Sequence, residues 1–367
     1  MLYRSLLRPL LFRMDPERVH EITLSLLARL SSLEPVLEWL FVETDPRLQV
    51  RLGSLKFPNP VGLAAGFDKN ARAVRIWPAF GFGFIEIGAV TALAQPGNPK
   101  PRLFRLPEDK ALINRLGFNN EGATAIAARL DILQRKGTLP KIPLGINIGK
   151  TKVIDNREAT EDYLFTFEKL YGLGDYFTLN VSSPNTPHLR ELQEKSLLKE
   201  LAQAIQEKNR DLAAKSHAGE KPVLVKVAPD MEFSQLDDII DVSLSCGVTG
   251  IIATNASAFM RETLSHPIDE PGGLSGRPLR PKAGVFVRHI YTTTRGRLPV
   301  IGSGGIFTAE DAYERITAGA SAVQVYTGFV YEGPGMIKHI HRGLLRLLER
   351  DGFKNLEEAV GSRAQEK

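Results

Sequence analysis

The chain has 367 residues, of which 43% are hydrophobic and 24% are charged, and this globular balance permits one large domain with a smaller additional piece. The formal net charge of +5 comes without a long Lys or Arg tract, so we expect no nucleic-acid partner. Cys246 is the only cysteine, which excludes disulfide frameworks and clusters of cysteine metal ligands.

The N-terminal segment contains two apolar series at helical spacing, with Arg4 and Arg8 one turn apart on another face of the first. These series are Leu2, Leu6, Leu7, Leu10, Leu11 and Met14, and then Val19, Ile22, Leu26, Leu27 and Leu30. The pattern permits helices that pack on the main domain and equally helices that meet a lipid surface. No apolar run reaches the roughly 18 residues that a membrane span needs, and no signal or transit peptide is evident.

Eight short apolar runs follow, most of them separated by helical patterns. They are Val61–Ala65, Phe84–Gly88, Leu144–Ile148, Phe177–Val181, Val223–Val227, Gly250–Thr254, Val300–Gly302 and Ala322–Tyr326. Strands that alternate with helices predict a parallel sheet. Eight such units are typical of a (β/α)8 TIM barrel, in which functional groups follow the strands at one end.

The residues at these strand ends are amides, lysines, hydroxyls and glycines. No cluster of His, Asp or Glu with metal-ligand spacing accompanies them, so we expect no metal. The stretch Asn180–Arg190 after the fourth strand is the richest, because it places amides and hydroxyls on a turn stiffened by prolines. Such rigid polar groups suit a planar, amide-rich substrate, with a hydroxyl available for proton transfer. An ordinary Asn/Ser/Pro turn has the same composition.

The loops after the last two strands, Gly302–Ile306 and Tyr326–Gly328, contain the glycines that phosphate sites in these barrels use. We therefore expect a phosphate-bearing ligand. Lys226 lies in an apolar run, where burial of its charge is costly without a partner. A ring that gains negative charge, such as a reduced flavin, would be one partner. The alternative is a phosphate-binding lyase or isomerase that uses Lys226 as a Schiff-base nucleophile.

Seven segments, in one order over nearly the whole chain, carry a family resemblance. They are Asp15–His20, Asn59–Lys69, Gly97–Leu106, Ile113–Asn119, Asn180–Arg190, Gly272–Leu279 and Ile301–Ile306. Together they resemble the class 2, quinone-linked dihydroorotate dehydrogenase family. This resemblance implies a flavin mononucleotide (FMN) enzyme that oxidises (S)-dihydroorotate to orotate in pyrimidine biosynthesis and passes the electrons to a membrane quinone.

The resemblance also implies a role for each matching residue. Ser183 would be the general base, with Thr186 and Phe118 shaping its proton path. The implied substrate-binding residues are Lys69, Asn114, Arg115, Leu116, Gly117, Phe118, Asn180, Asn185, Asn255 and Ala256. The implied FMN-binding residues are Ala65, Gly66, Phe67, Asp68, Lys69, Ala89, Asn147, Asn180, Lys226, Thr254, Gly276, Gly305, Tyr326 and Thr327. The implied quinone-site residues are His20, Arg105 and Tyr326.

The class assignment rests on Ser183, because the family's soluble classes have cysteine there. It implies that residues 1–45 form a membrane-associating, quinone-binding extension and that residues 46–367 form the barrel. We accordingly expect a peripheral protein on the cytoplasmic face of a bacterial inner membrane. A flavin-binding membrane protein without catalysis is a further alternative, although the complete Asn, Ser and Lys set disfavours it.

Two segments depart from the family pattern. Ala256 stands where many relatives have threonine, so a hydroxyl contact to substrate is missing unless Ser257 supplies it. The segment Phe259–Pro271 is predicted to be a variable surface loop.

Overall fold

Several short helices and a hairpin precede the main sheet, in a computed structural model that describes residues 3–30, 33–217, 219–266 and 268–365. These elements are a π-helical turn at Tyr3–Leu7, α1 (Arg8–Leu11), α2 (Pro16–Leu27), α3 (Glu34–Phe41), β1 (Val50–Leu52) and β2 (Leu55–Phe57). The predicted N-terminal helices are therefore present, with α3 in addition, while Leu2 lies outside the described residues.

The start of α2 follows from local chemistry. Asp15 is the N-cap, and its carboxylate accepts a hydrogen bond from the backbone N–H of Arg18 at 2.8 Å. Pro16 occupies the first turn, where its missing N–H costs nothing. The antiparallel pair β1 and β2 follows α3, and the ring of Phe57 stacks on Phe84 at 4.3 Å between centroids.

Eight parallel strands close into a barrel, which confirms the predicted TIM-barrel fold. The strands after the hairpin are β3 (Val61–Leu63), β4 (Phe84–Val90), β5 (Leu103–Leu106), β6 (Ala111–Asn114), β7 (Leu144–Ile148), β8 (Tyr176–Asn180), β9 (Val223–Val227), β10 (Gly250–Ala253), β11 (Gly273–Gly276), β12 (Val300–Ser303) and β13 (Ala322–Val325). Around the barrel the order is β3, β4, β7, β8, β9, β10, β12, β13 and back to β3. Each predicted strand is present, with ends that differ by at most two residues.

Helices cover the outside of the barrel. They are α4 (Gly122–Arg135), α5 (Ala159–Leu170), α6 (Lys195–Ser216), α7 (Phe233–Ser245), α8 (Arg280–Thr294), α9 (Ala309–Thr317), α10 (Thr327–Glu332), α11 (Met336–Asp351) and α12 (Leu356–Ala359). Their apolar faces bury residues such as Ile126, Phe167 and Leu344 against the strands in one continuous core.

The sequence patterns did not predict the second sheet, in which β5, β6 and β11 pair antiparallel. It has a small core of its own, which includes Leu106, Ile113 and Leu274. Leu112 and Asn114 of β6 and Ser275 of β11 line the same cleft as the carboxyl ends of the barrel strands. This sheet therefore lies beside the end of the barrel where function was expected.

A carboxylate lies at the centre of the barrel. Glu86 of β4 is fully buried, and its two oxygens accept hydrogen bonds from four side chains on three other strands. These donors are Asn147 at 2.8 Å, Tyr176 at 3.2 Å, Thr178 at 3.1 Å and Gln324 at 2.9 Å. Four donors fill the acceptor capacity of a carboxylate, so this network ties β4, β7, β8 and β13 together.

We expect the Glu86→Ala substitution to destabilise the protein by about 3–5 kcal/mol, because four buried donors lose their acceptor and the buried Lys226 loses the opposing charge of Glu86. Urea unfolding followed by circular dichroism measures the change. Glu86→Gln keeps an acceptor oxygen and should cost less, whereas Glu200→Ala on the exposed surface of α6 should stay within about 0.5 kcal/mol. A wild-type urea midpoint for Glu86→Ala would contradict a stabilising role of the network.

Candidate functional site

A deep cleft opens at the carboxyl end of the barrel, where residues from seven of the eight strands or the loops after them meet. Its empty volume, including the open mouth, is about 1070 Å³. No group of three or more candidate metal-ligating His, Cys, Asp or Glu side chains occurs in the described part of the chain.

Most of the predicted site residues share this cleft. They are Ala65, Gly66, Lys69, Ala89, Asn114, Leu116, Gly117, Phe118, Asn180, Ser183, Asn185, Lys226, Thr254, Asn255, Ala256, Gly276, Gly305, Tyr326 and Thr327. The barrel brings them together because parallel strands end at one edge.

Apart from the predicted quinone-site residues, five predicted residues lie outside the lining of the cleft, and three of these five are described first. The Arg115 guanidinium pairs with Glu270 at 2.6 Å. Asp68 is fully buried and accepts hydrogen bonds from two backbone N–H groups and from the indole of Trp77. The Phe67 ring packs on aromatic rings that include that of His20, at 5.2 Å. Their assigned roles in substrate and cofactor binding stay predictions.

The other two residues lie behind the cleft wall. Asn147 is fully buried and joins Glu86 to Asn180. Thr186 is 5% exposed, and its hydroxyl oxygen has no hydrogen-bond partner among the described residues. Their assigned roles in cofactor binding and the proton path stay predictions.

A relay of side-chain amides runs from the barrel interior to the cleft. The Glu86 carboxylate only accepts hydrogen bonds, so Asn147 must donate its NH2 to it. The Asn147 carbonyl oxygen then accepts from the Asn180 NH2 at 2.9 Å, and the Asn180 oxygen accepts from the Asn255 NH2 at 3.3 Å. The buried carboxylate thereby decides which way each amide presents its donor and acceptor to a ligand.

Ser183 lies in the loop after β8 and is 5% exposed. Its hydroxyl oxygen accepts a hydrogen bond from the backbone N–H of Asn185 at 3.3 Å. Asn185 donates its side-chain NH2 to Asn114 of β6 at 3.2 Å, and this contact links the loop to the second sheet. The hydroxyl thus faces the cleft from a loop held on both sides.

Phe118 also lines the cleft, and its backbone conformation is strained. Its φ angle is +53°, in the left-handed region that side chains with a Cβ rarely adopt. Its backbone carbonyl accepts from Asn120 at 2.7 Å, which helps to hold the turn. Such strain is maintained only where surrounding contacts fix it, and it clusters at functional sites.

The buried end of the cleft is cationic and has unused polar atoms. Lys226 is 5% exposed, and its ammonium has no hydrogen bond to the rest of the described chain. Burial lowers the pKa of Lys226, and the charge of Glu86 opposes that shift. The hydroxyl oxygen of Thr254 and the amide oxygen of Gln324 are likewise buried without a partner in the described ranges. These groups suit a polar, electron-rich ligand.

A second cationic group, Lys69, lies at another part of the wall. Burial lowers the pKa of Lys69 to about 8, while the carboxylates of Glu21 and Glu17 oppose the shift. The ammonium therefore remains largely protonated at neutral pH. An anionic group of a ligand would find its charge partner here.

The glycine loops form the third part of the cleft. Gly305 has a φ angle of +76°, and a Cβ there would lie about 2.6 Å from the backbone of Arg280. Only glycine allows the loop after β12 to lie so close to the start of α8. Thr327 begins α10, and its hydroxyl is 2.9 Å from that of Ser275. Backbone and hydroxyl donors are available here for an anion.

A second, mainly apolar cavity adjoins the first, and its empty volume, including the opening, is about 930 Å³. Residues of α1, α2, α10 and the strands β5 and β6 line it, and it shares Leu103, Leu112 and Tyr326 with the cleft. His20 and Arg105 both line it, so the three predicted quinone-site residues lie together. Burial lowers the pKa of His20 to about 3, with the charge of Lys69 contributing, so its imidazole is neutral at physiological pH.

Ser257 does not replace the hydroxyl that is missing at Ala256. This residue is fully buried and donates its hydroxyl to Asp230. It does not line the cleft, whereas Ala256 does, so Ser257 supplies no hydroxyl in place of the missing threonine. The predicted loop Phe259–Pro271 includes a 3-10 turn at Met260–Thr263, and Pro267 lies outside the described residues.

Several residues of the cleft were missed by the sequence analysis. They are Leu103, Leu112, Ser275, Ser303 and Gln324, together with Glu86 behind them. Ser303 lies in the predicted loop Gly302–Ile306 and Gln324 lies inside the predicted strand Ala322–Tyr326, so both were within reach of the sequence analysis, although neither was assigned a role. The residues of the second sheet carry no such signal.

Comparison with known proteins gives the family. The profile of the family described as dihydroorotate dehydrogenase matches residues 47–348. A relative from Gloeobacter violaceus, named dihydroorotate dehydrogenase (quinone), is 51% identical over 98% of both chains. One of the same name from Halobacterium salinarum is 49% identical, over 98% of this chain and 99% of its own.

A solved structure agrees with these relatives. The crystal structure of a DHODH from Eimeria tenella in complex with ferulenol has a TM-score of 0.88 and 38% identity, with 95% of each chain covered. The matches extend over the barrel and the N-terminal helices alike. The chain belongs to the dihydroorotate dehydrogenase family.

Proposed function

We infer that this protein oxidises (S)-dihydroorotate to orotate with a bound flavin and passes the electrons to a membrane quinone, as a step of pyrimidine biosynthesis. The observation that carries this inference is that a polar cleft and an apolar cavity share one wall, at Tyr326, Leu103 and Leu112. A water-soluble and a lipid-soluble substrate can then approach from opposite sides. Its relatives are quinone-linked dehydrogenases, and the family depends on flavin. The lyase or isomerase alternative lacks such support.

We assign the flavin as FMN. The glycine loop at Gly305 and the hydroxyl of Thr327 suit its phosphate, and Lys226, Thr254 and Gln324 suit the polar edge of its ring. When bound, the flavin supplies the two-electron acceptor chemistry that amino-acid side chains lack.

Proton removal falls to Ser183. Its hydroxyl oxygen lies in the cleft and takes the proton from C5 of dihydroorotate, with Thr186 and Phe118 shaping the path onward. The amides of Asn114, Asn180, Asn185 and Asn255 bind the carbonyl and N–H groups of the pyrimidine. Lys69 pairs with the substrate carboxylate, since its ammonium is largely protonated at neutral pH.

The N-terminal helices form the membrane-facing surface in this proposal. Their exposed apolar side chains are Leu6, Leu7, Leu10, Met14, Ile22, Leu26, Leu33, Val36, Trp39 and Leu40. No helix in the described ranges is long and apolar enough to cross a bilayer. A monotopic attachment by these helices, on the cytoplasmic face of a bacterial inner membrane, admits quinone to the cavity beneath them.

Quinone reduction by dihydroorotate tests the function. We expect the purified, yellow protein to catalyse it, and Ser183→Ala to keep the flavin spectrum and orotate binding but lose about 10²–10⁴-fold in the rate of flavin reduction. Stopped-flow absorbance measures that rate. The control variant is Ser245→Ala, which lies on α7 away from the cleft and should leave the rate unchanged. A wild-type rate in Ser183→Ala would remove Ser183 from the mechanism.

Lys226→Met should weaken flavin retention by about tenfold or more, because a buried cationic partner of the ring is lost. Fluorescence titration of the apoprotein with FMN measures the dissociation constant. Lys150→Met is the matched control, since Lys150 is also buried but does not line the cleft. Equal FMN affinity of Lys226→Met and wild type would show that Lys226 has a packing role only.

Replacement of Leu10 and Trp39 by Glu should weaken binding to anionic liposomes by about tenfold or more, because two apolar side chains no longer enter the interface. Trp39 is 79% exposed. The matched control replaces Val153 and Phe259, which are 81% and 72% exposed and lie outside the N-terminal helices. Liposome co-sedimentation measures both. Equal binding by the two double variants would contradict membrane attachment through α1–α3.

A further inference from the structure

We propose that the ion pair between Glu17 of α2 and Arg102 positions the loop after β8 that carries Ser183. The N-terminal helices and the dihydroorotate cleft are then energetically coupled. The identity of the ligand in this inference rests on the proposed function, whereas the contacts do not. The segment Gly97–Leu106 is one of the seven that carry the family resemblance. Its first part, before β5 begins at Leu103, has no role in the proposed function.

The ion pair is buried and bidentate. The side chains of Glu17 and Arg102 are 9% and 6% exposed. The Arg102 Nε lies 3.2 and 3.1 Å from the two carboxylate oxygens, and a terminal nitrogen lies 2.7 Å from one of them. A buried pair with this fork geometry holds both partners firmly, and the loss of one partner leaves an unpaired charge.

The other side of the guanidinium fixes a turn. Its second terminal nitrogen donates to the carbonyl oxygens of Pro96 at 2.6 Å and Asn98 at 2.7 Å. Gly97 between them has a φ angle of +79°, and a Cβ there would lie 2.7 Å from that nitrogen. Arg102 therefore holds Pro96–Asn98 in one conformation and at the same time holds α2.

Asn98 carries the connection to the cleft. Its backbone N–H donates to the carbonyl oxygen of Leu116 at 3.1 Å. Its side-chain NH2 donates to the carbonyl oxygens of Arg115 at 2.9 Å and Asn185 at 3.3 Å. Leu116 and Asn185 both line the cleft, and the N–H of Asn185 bonds to Ser183. A continuous path thus runs from α2 to the proposed base.

The path offers a mechanism for positioning. If the pair at Glu17 is lost, Arg102 no longer fixes the turn, and Asn98 has no fixed place from which to hold Asn185. The Ser183 loop then samples more conformations, which costs binding energy when a substrate orders it. Glu17 and Arg102 touch no ligand in this scheme and act as positioning residues.

Glu17→Gln and Asn98→Ala break the path at two points, and Asn98→Ala does so without a charge change. We expect each to speed hydrogen exchange of the backbone amides in 183–190 and to weaken orotate binding, by about three- to tenfold. Mass spectrometry measures the exchange, and the absorbance change of the bound flavin measures orotate affinity. The double variant should bind orotate no more weakly than the more strongly affected single variant, because the two residues act in series.

Glu34→Gln is the matched control. Glu34 lies in α3 and pairs with Arg75 at 3.6 Å, so the substitution removes the same charge from the N-terminal helices without touching the path. It should change neither readout. Unchanged exchange and orotate affinity in both Glu17→Gln and Asn98→Ala would overturn the proposal, as would additive effects in the double variant. Failure of the wild type to bind orotate would instead overturn the proposed function, because the exchange experiment needs no ligand.

Discussion

The site depends on the one-sided hydrogen bonding of the Glu86 carboxylate. A carboxylate offers no proton, so every neighbour must donate to it, and the amides of Asn147, Asn180 and Asn255 are oriented in turn. The same carboxylate joins four strands, and its charge opposes the lowering of the Lys226 pKa by burial. The polarity that a ligand meets in the cleft is therefore determined inside the barrel before any ligand arrives, which is the preorganisation that binding and catalysis require.

The second constraint is the wall between the two cavities. Tyr326, Leu103 and Leu112 separate a cleft of amides and lysines from a cavity of apolar side chains under the N-terminal helices. In the proposed function this wall keeps the two substrates apart, so each can bind in a medium that suits it. The Glu17–Arg102 pair lies at the same junction and connects the helices to the loop that carries Ser183. The N-terminal helices and the cleft are thus connected by a continuous series of contacts.

The sequence predicted the parts of this structure that local patterns encode. The eight barrel strands were predicted from apolar runs of three to five residues, and the short length of these runs, with helical stretches between most of them, indicates strands. Once the barrel is known, its geometry places the residues after each strand at one mouth, so Ser183, Lys226 and Gly305 could be grouped without coordinates. Asp68 and Phe67 escaped this logic, because their neighbours in sequence line the cleft while their own side chains turn into the packing beneath it.

The sequence by itself determined the fold, the family resemblance and the chemical types at the mouth of the barrel, since these follow from periodicity and from motifs of adjacent residues. Only the tertiary structure decided how Glu86 orients the amides, where Ser257 points, and how Glu17 reaches Asn98 through Arg102. These contacts join residues far apart in the chain, and a hydrogen bond depends on distances and angles of a few tenths of an ångström and tens of degrees. No spacing along the sequence encodes such geometry, because it arises only when the barrel closes and its helices pack.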